Sequence, residues 1–80
     1  MLIQPGWYLL PDRTRVLARS AGAGVVRFED VSGTPLYYCL PNEPSLYRLI
    51  FDAAQQVYYT TTCDLTTDDL VAVTPPITER

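Results

Sequence analysis

The chain has no histidine and no lysine. Its 80 residues carry six cationic side chains, all arginine, against nine acids, for a formal net charge of −3. Losing histidine removes the commonest general base and metal ligand, and the one side chain that ordinarily titrates near neutral pH. Losing lysine removes Schiff-base chemistry and the phosphate-gripping lysine of a P-loop. The hydroxyls and thiols of Ser20, Ser32, Ser45, Cys39 and Cys63 therefore have no base of these types to activate them. Gly22-Ala23-Gly24 is too short and isolated to cradle a phosphate. The expectation is a non-catalytic protein without a cofactor.

Cysteine is also scarce, with two residues and no CxxC or Cys/His cluster, which argues against a zinc site. Asp52, Asp64, Asp68 and Asp69 lack the alternating ligands and glycine of a calcium loop, so capping and turn formation are their expected roles and no metal is expected. Long apolar runs are missing: none approaches the ~20 residues needed to span a bilayer. The first residues, MLIQPGWYLLPDR, have no basic leader, and proline interrupts the short apolar stretch. These features together predict a cytoplasmic protein without a membrane segment. Its thiols are expected to stay reduced and to behave as small buried hydrophobes.

What remains is ordinary globular material, 48% apolar and 19% charged, too apolar and too weakly charged for a disordered tail. The length predicts one small domain over residues 1–73, with the proline-containing segment 74–80 as a flexible tail. Six tyrosines, two phenylalanines and one tryptophan must supply much of its small core.

Proline, glycine and asparagine divide the chain into short pieces rich in valine, threonine and tyrosine, which fit a pleated, half-buried surface. Strands are predicted at Trp7–Leu10, Thr14–Ser20, Val25–Val31, Leu36–Leu40, Val57–Thr62 and Leu70–Val73. Closing the second and third over Ala21-Gly22-Ala23 opposes Arg19 to Val25, Leu17 to Arg27 and Arg15 to Glu29. Val16, Ala18, Val26 and Phe28 then share one face, with Thr14 and Asp30 at its end, and Arg13, Arg15, Arg19, Arg27 and Glu29 the other, diluted by Leu17, Val25 and Val31. Such separation under one register is the signature of a half-buried hairpin. Residues 44–56 admit two readings. As a helix, Leu46, Leu49, Ile50, Ala53 and Ala54 share a face; as a strand pair, LYRLIF and VYYTTT flank a loop at Asp52–Gln56, which their β-branched and aromatic content favours.

Five to seven short strands in this length predict an all-β fold, and a small barrel would remove exposed sheet edges. The ending CDLTTDDLVAV, a Thr-x-Asp-Asp-Leu turn running into a last strand, resembles the 3₁₀-turn-then-strand ending of SH3-like barrels. In that turn Thr66 or Thr67 accepts from backbone N–H groups, with Asp68 and Asp69 near its start. The resemblance covers about eleven residues and implies an SH3-like barrel; the acidic loop and tandem tryptophans of a proline-peptide groove are not present in the sequence.

Two constellations bear on function. Arg13, Arg15, Arg19 and Arg27 concentrate positive charge on one hairpin of an acidic protein, whose negative charge lies over the C-terminal half. Such a cluster can hold carboxylates or phosphates through the planar guanidinium fork, or can simply be the solvated face of a hairpin. The doublets Tyr37-Tyr38 and Tyr58-Tyr59 each place one ring inward and one outward along a strand. Exposed rings beside arginine are the residue types of interface hot spots and of base-stacking platforms. The expected contact surface combines Arg13, Arg15, Arg19 and Arg27 with Trp7, Tyr8, Tyr37 and Tyr58. The leading function is an adaptor that binds a protein partner; the alternatives are a nucleic-acid-binding accessory protein and a homo-oligomeric structural subunit.

Overall fold

A computed structural model describes residues 3–74. Seven strands run β1 (Gly6–Leu9), β2 (Arg15–Ser20), β3 (Val26–Glu29), β4 (Pro35–Cys39), β5 (Ser45–Asp52), β6 (Val57–Thr66) and β7 (Val71–Ala72). They form one antiparallel sheet of order β6-β5-β4-β3-β2-β1-β7. The first six make a meander of consecutive hairpins. Each hairpin turn holds a residue in the left-handed region: Arg13, Ala23, Gly33, Asn42 and Gln56 in order. Three of these turns are tied by aspartate, of which Asp52 has the turn role expected from the sequence. Asp12 accepts from the Thr14 amide at 3.0 Å. Asp30 accepts from the amides of Ser32 and Thr34, both at 2.9 Å, and Asp52 from those of Ala54 and Gln55.

The all-β expectation holds and the barrel does not. Among the described residues β6 pairs only with β5 and β7 only with β1, so the sheet is open with two edges. Closure would need a seventh strand long enough to ladder onto β6, and β7 has two residues, both already matched to β1. The SH3-like resemblance therefore fails at the level of architecture, although its local turn is present. The 3₁₀ turn η1 (Thr67–Asp69) begins at Thr66, whose hydroxyl accepts from the Asp68 amide while the Asp69 carboxylate accepts from the Thr66 amide at 2.9 Å. This is a capping box. No helix forms within 44–56: the strand pair wins there, as β5, a tight turn and β6. The segment expected to be a flexible tail lies, from residue 75 on, outside the described residues.

The β2–β3 hairpin has the anticipated faces but a different register. Leu17 opposes Glu29, Ala18 opposes Phe28 and Arg19 opposes Arg27. The turn is centred on Ala23 rather than Gly22. Val25 donates its amide to the Gly22 carbonyl at 2.9 Å across Ala23 and Gly24, with φ of 54° and 81°. Positive φ at both central positions is the requirement of a type I′ turn, and glycine meets it at least strain. Because the slip moves each partner by two residues, side-chain faces are preserved while every cross-strand pair changes.

Strand alternation collects the core on one face. Leu10, Val16, Ala18, Phe28, Cys39 and Leu46 are buried there, with Ile3, Tyr8, Tyr37, Leu65 and Leu70 packed around them. Cys39 and Cys63 are free thiols. Burial pushes the Cys39 thiol up from its ordinary value, consistent with a small hydrophobe rather than a nucleophile. Among the described residues, no helix is long and apolar enough to cross a membrane.

Candidate functional site: the open face of the sheet

Among the described residues, one layer of sheet leaves one face without a covering element, and there an antiparallel sheet ordinarily carries polar side chains. Here that face is rich in rings. Register places Arg19, Arg27, Tyr38, Tyr47 and Thr62 in one row running across five strands. The Tyr38 and Tyr47 rings stack at 5.3 Å between centroids, with 26° between planes. Next along β5 lies Leu49, opposite Thr60, and then Phe51, opposite Tyr58. The Phe51 and Tyr58 rings meet at 5.0 Å in a tilted arrangement. Each of these two rings is 48% exposed, as are Val57 and Tyr59 on the same hairpin.

That exposure follows from strand length. β5 and β6 have eight and ten residues, while the other strands have six or fewer. The distal part of the β5–β6 hairpin therefore runs past its neighbours as an arm, and residues 53–60 are all exposed. Where the arm leaves the body, a shallow groove of about 270 Å³ lies among Val25, Arg27, Pro35, Tyr38, Leu49 and Tyr58.

The charged end of the row is built around Glu29. Its carboxylate receives the Arg27 guanidinium at 2.8 Å and 3.1 Å and that of Arg19 at 3.3 Å. Glu29 is 8% exposed, whereas both arginines are largely in solvent. The expected Arg15–Glu29 pair does not form, because the Ala23-centred turn brings Leu17 opposite Glu29. Arg15 instead donates to the carbonyl of Thr74 at 3.0 Å.

Of the contact residues expected from sequence, Arg19, Arg27 and Tyr58 come together around this groove or beside it. Trp7 opposes Leu17 on the same face, two strands away, and is half-buried. Arg15 is on that face at the β1 side, opposite Leu9. Arg13 is not on a strand: it sits in the β1–β2 turn with φ 74°, donating its amide to Leu10 at 2.8 Å. Tyr8 and Tyr37 belong to the other face, against the core, and Tyr8 donates its hydroxyl to the Gln4 carbonyl. The sequence reading missed Tyr38, Tyr47, Leu49 and Phe51. A signal existed for Tyr38: Cys39 was expected to be buried, and strand alternation then turns Tyr37 inward and Tyr38 outward. The doublet rule holds there and fails at Tyr58-Tyr59, where both rings are 48% exposed on the outer strand of the arm.

Chemically the face offers apolar and aromatic area with two guanidinium groups at its end. Among the described residues, no group of three or more histidine, cysteine, aspartate or glutamate side chains is placed to hold a metal ion. Tyr47 donates its hydroxyl to the Glu43 carboxylate at 3.0 Å, and that bond and charge push its pKa up from the ordinary tyrosine value. No family model, no curated protein and no solved structure matches the chain.

Proposed function

We propose that the chain is a small non-catalytic binding module that recognises a protein partner through the open face of its sheet. The observation that carries this reading is the replacement of polar side chains on that face by Tyr38, Tyr47, Leu49, Phe51 and Tyr58. Tyrosine and arginine dominate the energetics of protein interfaces, because rings bury large area at small entropic loss and the guanidinium fork pairs with carboxylates. A partner segment with an apolar side chain for the groove and a carboxylate for Arg19 or Arg27 fits this surface. The absence of histidine and lysine supports the non-catalytic part of the reading.

The nucleic-acid reading has one supporting observation, Arg27 directly opposite Tyr38, a pairing suited to phosphate contact beside base stacking. Glu29 works against it by engaging both guanidiniums. One experiment separates the two. Immobilised wild-type chain is compared with Tyr38→Ser and Tyr58→Ser variants for retention of host proteins and of labelled oligonucleotides at low and moderate salt. A protein retained by wild type and lost by both variants, whose circular dichroism matches wild type, is the expected result. Oligonucleotide binding that falls steeply with salt and is lost by the same variants would instead support the second reading.

A further inference from the structure

The two edges of the open sheet are unequal. β7 presents two residues, a length that blunts an edge against pairing. β6 presents ten, and from Val57 to Cys63 the run VYYTTTC contains no charge, no proline and no glycine. Natural sheets guard such an edge with lysine, proline, a bulge or a covering segment. Along Val57–Thr62 none of these is found among the described residues: that stretch pairs regularly with β5 from Tyr47 to Asp52, and the irregularity in the ladder lies further on, between Ser45 and Tyr47. An unguarded edge of this length is a template for another strand.

We infer that β6 pairs antiparallel with β6 of a second copy of this chain, about a two-fold axis at Thr60. Three features of the edge select a copy of itself. The first is electrostatic. The chain is acidic overall, so two copies repel unless the surfaces that meet are neutral, and Val57–Cys63 is the neutral part of the edge. The second is self-complementarity. Laying the run on itself about Thr60 sets Tyr58 opposite Thr62, Tyr59 opposite Thr61, Thr60 opposite Thr60 and Val57 opposite Cys63. Aromatic rings then meet β-branched side chains and threonine meets threonine, the pairings that stabilise adjacent strands. The third is closure. Pairing β6 with β7 of another copy would ladder only two residues and would propagate without end, whereas β6 on β6 uses the full run and closes at two copies.

In antiparallel pairing, directly opposed residues point to the same side of the sheet. The two open faces therefore become one continuous surface, with the Phe51–Tyr58 pair of each copy near the join. This inference concerns the edge and does not rest on the partner-binding reading of the face.

The test is sedimentation equilibrium of the full chain over a range of concentration, with charge-swap variants at the axis. Wild type is expected to rise from the monomer mass of 9.0 kDa toward twice that value. Thr60→Lys and Thr60→Glu each oppose like charges across the axis, and each is expected to weaken association about tenfold or more. An equimolar mixture of the two variants is expected to associate again, a recovery that a merely misfolded variant cannot show. The inference is overturned by a wild-type mass that stays monomeric at the highest concentration, or by association that survives in both single variants. It is equally overturned by a mixture that remains monomeric while both variants keep the wild-type circular dichroism. Retention of a host protein by the monomeric variants would leave the open-face reading standing while the edge inference is judged by mass alone.

Discussion

Arg19 and Arg27 stand directly opposite each other across the β2–β3 ladder, and Glu29 holds both. Like charges at directly opposed positions destabilise a sheet, so Glu29 is the residue that permits this pair. Its own near-complete burial is compensated by the charged hydrogen bonds it accepts. Glu29→Gln is expected to lower stability by about 1 kcal/mol at low ionic strength, a modest figure because both arginines are solvated. The deficit should shrink as salt is added. Urea unfolding midpoints at two salt concentrations measure it; a variant as stable as wild type in low salt would mean that solvent screens the arginines without Glu29.

Gly24 is the residue whose backbone fixes the register of that same hairpin. Its φ is +81°, and a Cβ added there would lie 3.0 Å from the Pro41 Cβ. Gly24→Ala is therefore both strained and crowded, and is expected to cost about 1–2 kcal/mol. The neighbouring Ala23, already at φ +54°, gives the opposite sign. Ala23→Gly relieves left-handed strain and is expected to be neutral or stabilising by up to about 1 kcal/mol. Thermal unfolding of the two variants side by side decides the point, and equal losses in both would exclude the positive-φ turn as the cause.

These residues also show how far the sequence could be read. The faces of the hairpin were legible because alternation is a local property: Val16, Ala18 and Phe28 had to share a side whatever the register. The register itself was not, since Gly22 and Gly24 allow a tight turn centred on either Gly22 or Ala23, and the choice depends on which residues take positive φ. Local chemistry at Thr66–Asp69 was legible for the same reason, as a capping box is written in four consecutive residues. Closure was not legible. Whether a seventh strand completes a barrel depends on how many residues it can offer to the opposite edge, and Leu70–Val73 read as a strand gives only two in the ladder. The site suffered accordingly. Arg27 and Tyr58 were found by residue type and alternation turns Tyr38 outward, but its stacking with Tyr47 became visible only when strand order set the two side by side.

Tyr47 makes the open face sensitive to pH at the alkaline end. Its hydroxyl donates to the Glu43 carboxylate, which favours the protonated phenol and raises the pKa in the folded state. A group whose folded pKa is raised contributes stability fully present below its unfolded value. That contribution is lost as pH rises through the folded value, here above the ordinary tyrosine range near 10. Glu43→Ala should bring the Tyr47 titration down toward the ordinary tyrosine range. Ultraviolet difference titration reads this directly: the wild-type curve is expected to show a late component that the variant lacks, and superimposable curves would refute the coupling.

The arm makes the sharpest separation between what holds the fold and what the face presents. Phe28 is 1% exposed at the centre of the core, whereas Phe51 and Tyr58 are half in solvent with their rings tilted against each other. Removing the central ring, as Phe28→Ala, is expected to cost about 3–5 kcal/mol, a large share of the stability of a domain this small. The double variant Phe51→Thr/Tyr58→Thr puts β-branched residues at both positions, leaves the core untouched and loses only one exposed aromatic pair. Its expected cost is about 1 kcal/mol or less. Fluorescence of a dye that binds exposed apolar surface should fall in the double variant relative to the folded wild type, since the arm supplies much of that surface. If the double variant instead unfolds as readily as Phe28→Ala, the rings on the arm are structural, and the open face loses the feature that marks it as a place for a partner.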